Sequence, residues 1–83
     1  MGELMMEDKI IDMIREINPY EDIDENTKLI DDGILDSLTL VLLISCIESE
    51  FGIKITEEKM NIANFETIQN IVSLIQNIKK NEA

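Results

Sequence analysis

One hydroxyl, Ser37, stands between an acid and a leucine in the run Asp32-Gly33-Ile34-Leu35-Asp36-Ser37-Leu38, just ahead of a long apolar periodic stretch. A serine there opens a helix, where no earlier turn covers it and the first amide groups lack intrahelical partners. Those N–H groups and the positive end of the macrodipole favour a phosphate joined to the hydroxyl. Asp36 would repel a phosphate, so its use differs: a modifying enzyme can read it, through a divalent metal of its own. The plain alternative is that Ser37 is an ordinary N-cap, a role worth about 1 kcal/mol.

The other chemistry-bearing residues exclude more than they offer. There is no histidine, so neither a Ser/His nor a Cys/His pair can be assembled, and no Cys/His ligand set exists. The lone Cys46 lies in an apolar run and reads as a small core residue; it has no intramolecular disulfide partner, which implies a reducing compartment. Carboxylates abound, but an acidic solvated face explains them better than a glycosidase pair. Asp22-Ile23-Asp24-Glu25-Asn26 begins like a calcium loop, yet Thr27 replaces the required Gly and Gly33 the required Glu. Weak, non-specific divalent binding by Asp22, Asp24, Asp31 and Asp32 is the most that it offers. The chain is therefore not expected to be an enzyme, and no metal ligands are assigned.

Four helices are expected to position Ser37. Met6, Ile10, Met13, Ile14 and Ile17 follow amphipathic helical spacing, ended by Asn18-Pro19 because the residue before proline leaves the α region. Residues 19–36 hold no sustained period and read as a long ordered loop with Tyr20, Ile23, Leu29, Ile30, Ile34 and Leu35 as apolar anchors. Ser37 to Phe51 is helical again, closed by Gly52. Thr56-Glu57-Glu58 opens a short helix to about Met60, and Ile68, Ile71, Val72, Ile75 and Ile78 trace a last one begun near Thr67. Lys79 and Lys80 suit its C-terminus, and 81–83 should fray. The expected fold is all-α: a small antiparallel bundle of three long helices and one short, with a long first connection. Strands fit only near 52–55, too short a stretch to build a sheet.

Composition bounds the rest. At 83 residues the chain reads as one domain, 1–83, and an aromatic content of 4% demands an aliphatic core. No signal peptide or membrane span is read, so the cytoplasm is expected. A formal charge of -11 disfavours nucleic acid and anionic membranes, and points to protein partners with basic docking surfaces. The acid is concentrated ahead of Ser37: residues 1–36 carry 12 acids and 3 bases, and 37–83 carry 6 and 4. The plainer reading of the charge is solubility alone.

Asp36-Ser37-Leu38 resembles the D-S-L attachment motif of phosphopantetheine carrier proteins, and Gly33-Ile34-Leu35-Asp36-Ser37 resembles its longer form. Glu48-Ser49-Glu50-Phe51-Gly52-Ile53 is similar to the end of their second helix, and Asn64-Phe65-Glu66-Thr67-Ile68 to the segment leading into their last, so that the likeness covers about residues 5–79. The resemblance implies that a phosphopantetheinyl transferase joins the 4'-phosphopantetheine arm of coenzyme A to Ser37, with Asp36 and Leu38 as recognition neighbours. It also implies a loading ligase for acyl or aminoacyl cargo and a downstream acyl-transferring enzyme. The G-I-L-D-S form looks closer to aminoacyl and D-alanyl carriers than to fatty-acid carriers.

The helix after Ser37 carries two apolar stripes. Leu40, Leu43, Ile44, Ile47 and Phe51 fit the core face. Leu38, Val41, Leu42 and Ser45 fall on a neighbouring face that carrier proteins use for docking, and Val41, Leu42, Ser45 and Glu48 are expected to be the docking residues. Fatty-acid members usually place acids where Thr39 and Leu42 stand, so this face is greasier than theirs; the alternative is that Leu42 belongs to the core of a slightly rotated helix. The function expected is a freestanding, monomeric carrier. Its rivals are a non-covalent helical adaptor that binds a protein through Leu38, Val41 and Leu42, and an acidic calcium-sensor-like protein.

Overall fold

The computed structural model describes residues 6–82. Three α-helices, α1 (Met6–Ile17), α2 (Ser37–Phe51) and α3 (Ile68–Glu82), are joined through a long irregular connection and two 3₁₀ turns, Glu57–Lys59 and Ile62–Phe65. No strand occurs among the described residues. The all-helical expectation holds, but the helix count does not: where a fourth helix was expected at 56–60 there is one 3₁₀ turn, and a second follows it.

Each long helix forms where apolar spacing and end signals agree. In α1, Ile10 and Ile14 are fully buried, and Met6, Ile11, Met13 and Ile17 pack at the core's edge. Glu7 and Asp8 lie in its first turn and Arg15 in its last, matching the macrodipole. In α2, Leu43, Ile44 and Ile47 are buried, with Leu40 and Phe51 packed against the core. Gly52 closes α2 at φ 64, a left-handed conformation that glycine adopts without a Cβ penalty, and its N–H donates to Glu48 O. Thr67 starts α3: its Oγ1 accepts from Asn70 N at 3.1 Å and its carbonyl from Ile71 N at 3.2 Å. Ile68, Ile71, Val72, Leu74, Ile75 and Ile78 bury the inner face of α3. The helix runs past Asn81, where fraying was expected; Ala83 and residues 1–5 lie outside the described residues.

The short helix fails because its start signal has no apolar stripe behind it. Lys59 N donates to Thr56 O and Met60 N to Glu57 O, both i→i+3 bonds, and then Asn61 breaks the run by capping the next turn through its side chain. Met60 and Ile62 are exposed, so continuing the helix would bury nothing to offset nucleation. Phe65, fully buried, anchors this stretch.

The 18–36 connection is packed rather than loose. Ile23, Leu29, Ile34 and Leu35 are buried and Ile30 half-buried, as expected of anchors. Tyr20 is not one: it is 95% exposed, because the turn at Asn18-Pro19 carries it away from the core. Arg15 Nη2 donates to Ile23 O at 3.3 Å, and Leu29 N donates to Glu66 O at 2.8 Å, tying the connection to α1 and to the approach to α3. Lys79 Nζ donates to Phe51 O at 3.3 Å, so the basic end of α3 supplies a cation to the C-terminal carbonyls of α2. α1 packs against both α2 and α3.

Candidate functional site

The approach to Ser37 is held from both sides. A tight turn at 28–33 has Asp32 N donating to Lys28 O at 2.9 Å and Gly33 N to Ile30 O at 3.0 Å, with Gly33 at φ 75. Leu35 N then donates back to Leu29 O at 2.9 Å, and the Ile34 and Leu35 side chains are buried. Two buried anchors immediately before Asp36 leave Asp36 and Ser37 on the surface, with both side chains exposed.

Asp36, not Ser37, caps α2. Its backbone is extended (φ -118, ψ -170), and its Oδ1 accepts from Thr39 N at 3.0 Å. Thr39 returns the bond: Asp36 N donates to Thr39 Oγ1 at 2.7 Å, and the Thr39 hydroxyl lies 3.0 Å from Asp36 Oδ1. Donation from Thr39 N, aided by the Thr39 hydroxyl, holds the Asp36 carboxyl below its ordinary value. Ser37 is thus the first helical residue, its hydroxyl left outside the capping box. Leu40 N, one turn in, already bonds Asp36 O at 2.8 Å, so the amides nearest Ser37 are the ones without an intrahelical acceptor.

Most of the expected docking residues come together. Leu38 (70% exposed), Val41 (60%) and Leu42 (47%) make an open apolar stripe running from Ser37 along α2, and Ser45 is exposed at its far end. Leu42 therefore faces out and does not join the core. No charge occurs from Ser37 to Ile47. Glu48 is placed differently: half-buried, its Oε2 accepts from Ile55 N at 2.8 Å, latching α2 to the segment after it. Cys46, expected in the core, is half-buried and lines a groove between α1 and α2 with Met13, Glu16, Ser45, Ser49 and Glu50.

The acids ahead of the site stay in solvent. The 19–36 connection carries seven acids and one base, Lys28, all exposed. The calcium-loop start is instead a local turn, in which Asp24 Oδ1 accepts from Asn26 N at 2.8 Å and from the Thr27 hydroxyl at 3.2 Å. Among the described residues, no group of three or more His, Cys, Asp or Glu is placed to hold a metal ion, and no helix is long and apolar enough to cross a membrane.

Thr39 is the residue that sequence reasoning missed as a partner of Asp36. Its signal was the Asp-x-x-Thr spacing, hidden because the usual capping box has Glu or Gln at the third helical position.

Comparison with known proteins agrees on one family. The family model described as the phosphopantetheine attachment site matches residues 8–75. The chain is 44% identical over 52 residues to the acyl carrier protein of Thermotoga maritima, covering 63% of this chain and 62% of that one. It is 31% identical over 78 residues to the probable acyl carrier protein PigG of a Serratia strain, covering 90% of each. The chain thus spans less than two thirds of the length of the Thermotoga relative and most of that of the Serratia one. No solved structure matches.

Proposed function

The chain belongs to the phosphopantetheine-attachment family of non-catalytic carrier proteins, and from that premise we propose that Ser37 is the residue that bears the 4'-phosphopantetheine arm. The observation that carries the reading is an exposed hydroxyl on the first residue of α2, with the cap supplied by its neighbour. These residues fit the group: the first-turn amides favour a phosphodiester at that hydroxyl, and the Ile34 and Leu35 side chains before it are buried in the core and leave it exposed. Asp36 and Leu38 are the neighbours that a phosphopantetheinyl transferase reads.

In the modification, Ser37 Oγ attacks the pyrophosphate phosphorus of coenzyme A that bears the pantetheine. The bond from that phosphorus to the adenosine 3',5'-bisphosphate breaks as the Ser37 O–P bond forms, and the hydroxyl proton passes to a base of the transferase. When bound, the arm supplies a terminal thiol that carries cargo as a thioester. What this chain contributes is position: α2 holds the attachment point at a fixed edge of the bundle, and the Leu38, Val41, Leu42 and Ser45 face docks successive enzymes. Each docking raises the cargo's effective concentration at the partner's active site. Glu48 supports that face from its end through the bond to Ile55.

We assign the carrier to acyl or aminoacyl cargo, loaded by a ligase and removed by an acyl-transferring enzyme, and place it in the cytoplasm as a one-domain monomer. The uncharged α2 face supports partners unlike those of fatty-acid carriers. The non-covalent adaptor is not favoured, because the family match covers the segment containing Ser37. Incubation with coenzyme A and a broad-specificity transferase tests the proposal by intact mass. The wild-type chain should gain one arm and Ser37→Ala none; an unmodified wild type, beside a carrier that the same transferase does modify, overturns it.

A further inference from the structure

We infer that Thr39 is a positioning residue for the modification of Ser37, holding the Asp36 carboxylate by Oδ1 so that Oδ2 is left for a partner to read on the residue before Ser37. The inference rests on Ser37 being the attachment residue and says how the neighbouring acid is made readable.

Asp36 is exposed and lies between a connection and a helix, where a carboxylate ordinarily samples several rotamers. Here three bonds converge on one partner. Thr39 N donates to Oδ1 at 3.0 Å, Asp36 N donates to Thr39 Oγ1 at 2.7 Å, and the Thr39 hydroxyl can return its proton to Oδ1 at 3.0 Å. The Asp36 carbonyl, 3.3 Å from the same hydroxyl, already accepts from Leu40 N at 2.8 Å, which leaves Oδ1 as the better acceptor. An ordinary N-cap needs only the bond from the third amide. The additional pair to the Thr39 hydroxyl fixes the residue before Ser37 at its amide and at its carboxylate together.

Oδ1 is thereby turned into the helix start, and both bonds that Thr39 makes to the carboxylate fall on Oδ1 and not on Oδ2. Oδ2 is the oxygen that Thr39 leaves to an approaching cation, whether a basic side chain or the metal of the modifying enzyme. The β-branched threonine adds stiffness, since its χ1 is restricted.

The alternative is that the box only stabilises α2. Thr39→Val keeps the shape and the Thr39 N–H but removes the hydroxyl; Thr39→Ser restores it. Both are compared with wild type in transferase kinetics with coenzyme A, alongside NMR titration of the Asp36 carboxyl and thermal unfolding. Thr39→Val should raise the KM for the carrier about tenfold with kcat little changed, because an interaction made on docking is lost. Its Asp36 carboxyl should titrate higher than in wild type, and Thr39→Ser should recover both. Wild-type KM in Thr39→Val, with the Asp36 titration moved, overturns the positioning role and leaves attachment at Ser37 standing. A raised KM that Thr39→Ser fails to recover, accompanied by a lowered Tm in both variants, assigns the effect to helix stability and also overturns it. Failure of the wild type itself to be modified removes the underlying reading, and this one with it.

Discussion

At the start of α2 the proposed attachment hydroxyl and the helix cap belong to different residues. Asp36 takes the bond from Thr39 N, and Ser37 needs none. Replacing Ser37 by Ala should therefore leave stability within about 0.5 kcal/mol, read by chemical denaturation, while abolishing arm attachment. Were Ser37 the cap, the same change would cost about 1 kcal/mol. Asp36, by contrast, should contribute to stability. Its carboxyl is held below 3.8, first by the bond from Thr39 N, so folding favours the charged form. Stability from that ionisation is fully present above the unfolded value and is lost as pH falls through the lower folded value. Thermal unfolding of wild type and Asp36→Asn should differ at neutral pH and converge in strong acid; a difference unchanged by pH would contradict this. The exposed position of Ser37 at the helix start was legible because an acid, a serine and a leucine follow two apolar anchors at the mouth of a periodic stretch. Thr39 was not, because a hydroxyl at the third helical position is an uncommon capping partner. Tyr20 was misplaced because its neighbour Pro19 sets the direction of the turn, and composition alone does not give that direction.

At the scale of the element, α2 matters most, since its start carries the site and its end fixes its length. Gly52 has φ 64, and a Cβ there would meet no atom within 4 Å. The cost of Gly52→Ala is thus conformational rather than steric, about 1–2 kcal/mol in an equilibrium unfolding experiment. Glu48 is the second fastening. Its Oε2 accepts from Ile55 N, whose residue is 1% exposed. Glu48→Ala leaves that amide short of an acceptor, at about 1–3 kcal/mol, whereas Glu48→Gln keeps an oxygen and should lose much less. Amide exchange at Ile55 should rise in Glu48→Ala and stay slow in Glu48→Gln. The three long helices were legible because period, start and stop signals agreed within each. The 3₁₀ turns were not, since Thr56-Glu57-Glu58 marks where a helical turn begins and says nothing of how far it continues. Glu48 was read as part of the docking face, and its bond to Ile55 was not legible because that partner is a backbone amide seven residues away, a contact that only the fold creates.

Across the whole molecule, two surfaces of different character meet at Ser37. Ahead of it lies an exposed acidic connection, and along α2 runs an uncharged apolar stripe. Charge should govern how fast basic partners arrive, an effect that salt screens, while the stripe should govern how firmly they stay. Leu42 is 47% exposed and contributes nothing to the buried core, so Leu42→Glu should fold with wild-type circular dichroism and Tm. The same variant should lose most of its transferase kcat/KM through a raised KM; a normal rate would move docking elsewhere. The aliphatic core was legible from an 83-residue chain with almost no aromatics, and its buried set of Ile, Leu and Val with the single Phe65 matches that reading.

Peptide mapping of the modified chain tests attachment at Ser37 most directly. Cleavage after lysine releases residues 29–54 as one piece that contains Ser37, Thr39, Ser45, Cys46 and Ser49. After treatment with coenzyme A and transferase, fragmentation of that piece should place the arm on Ser37 and on no other side chain. An arm found on Ser45, Ser49 or Cys46, or a piece that remains unmodified beside a control carrier that is modified, would contradict it.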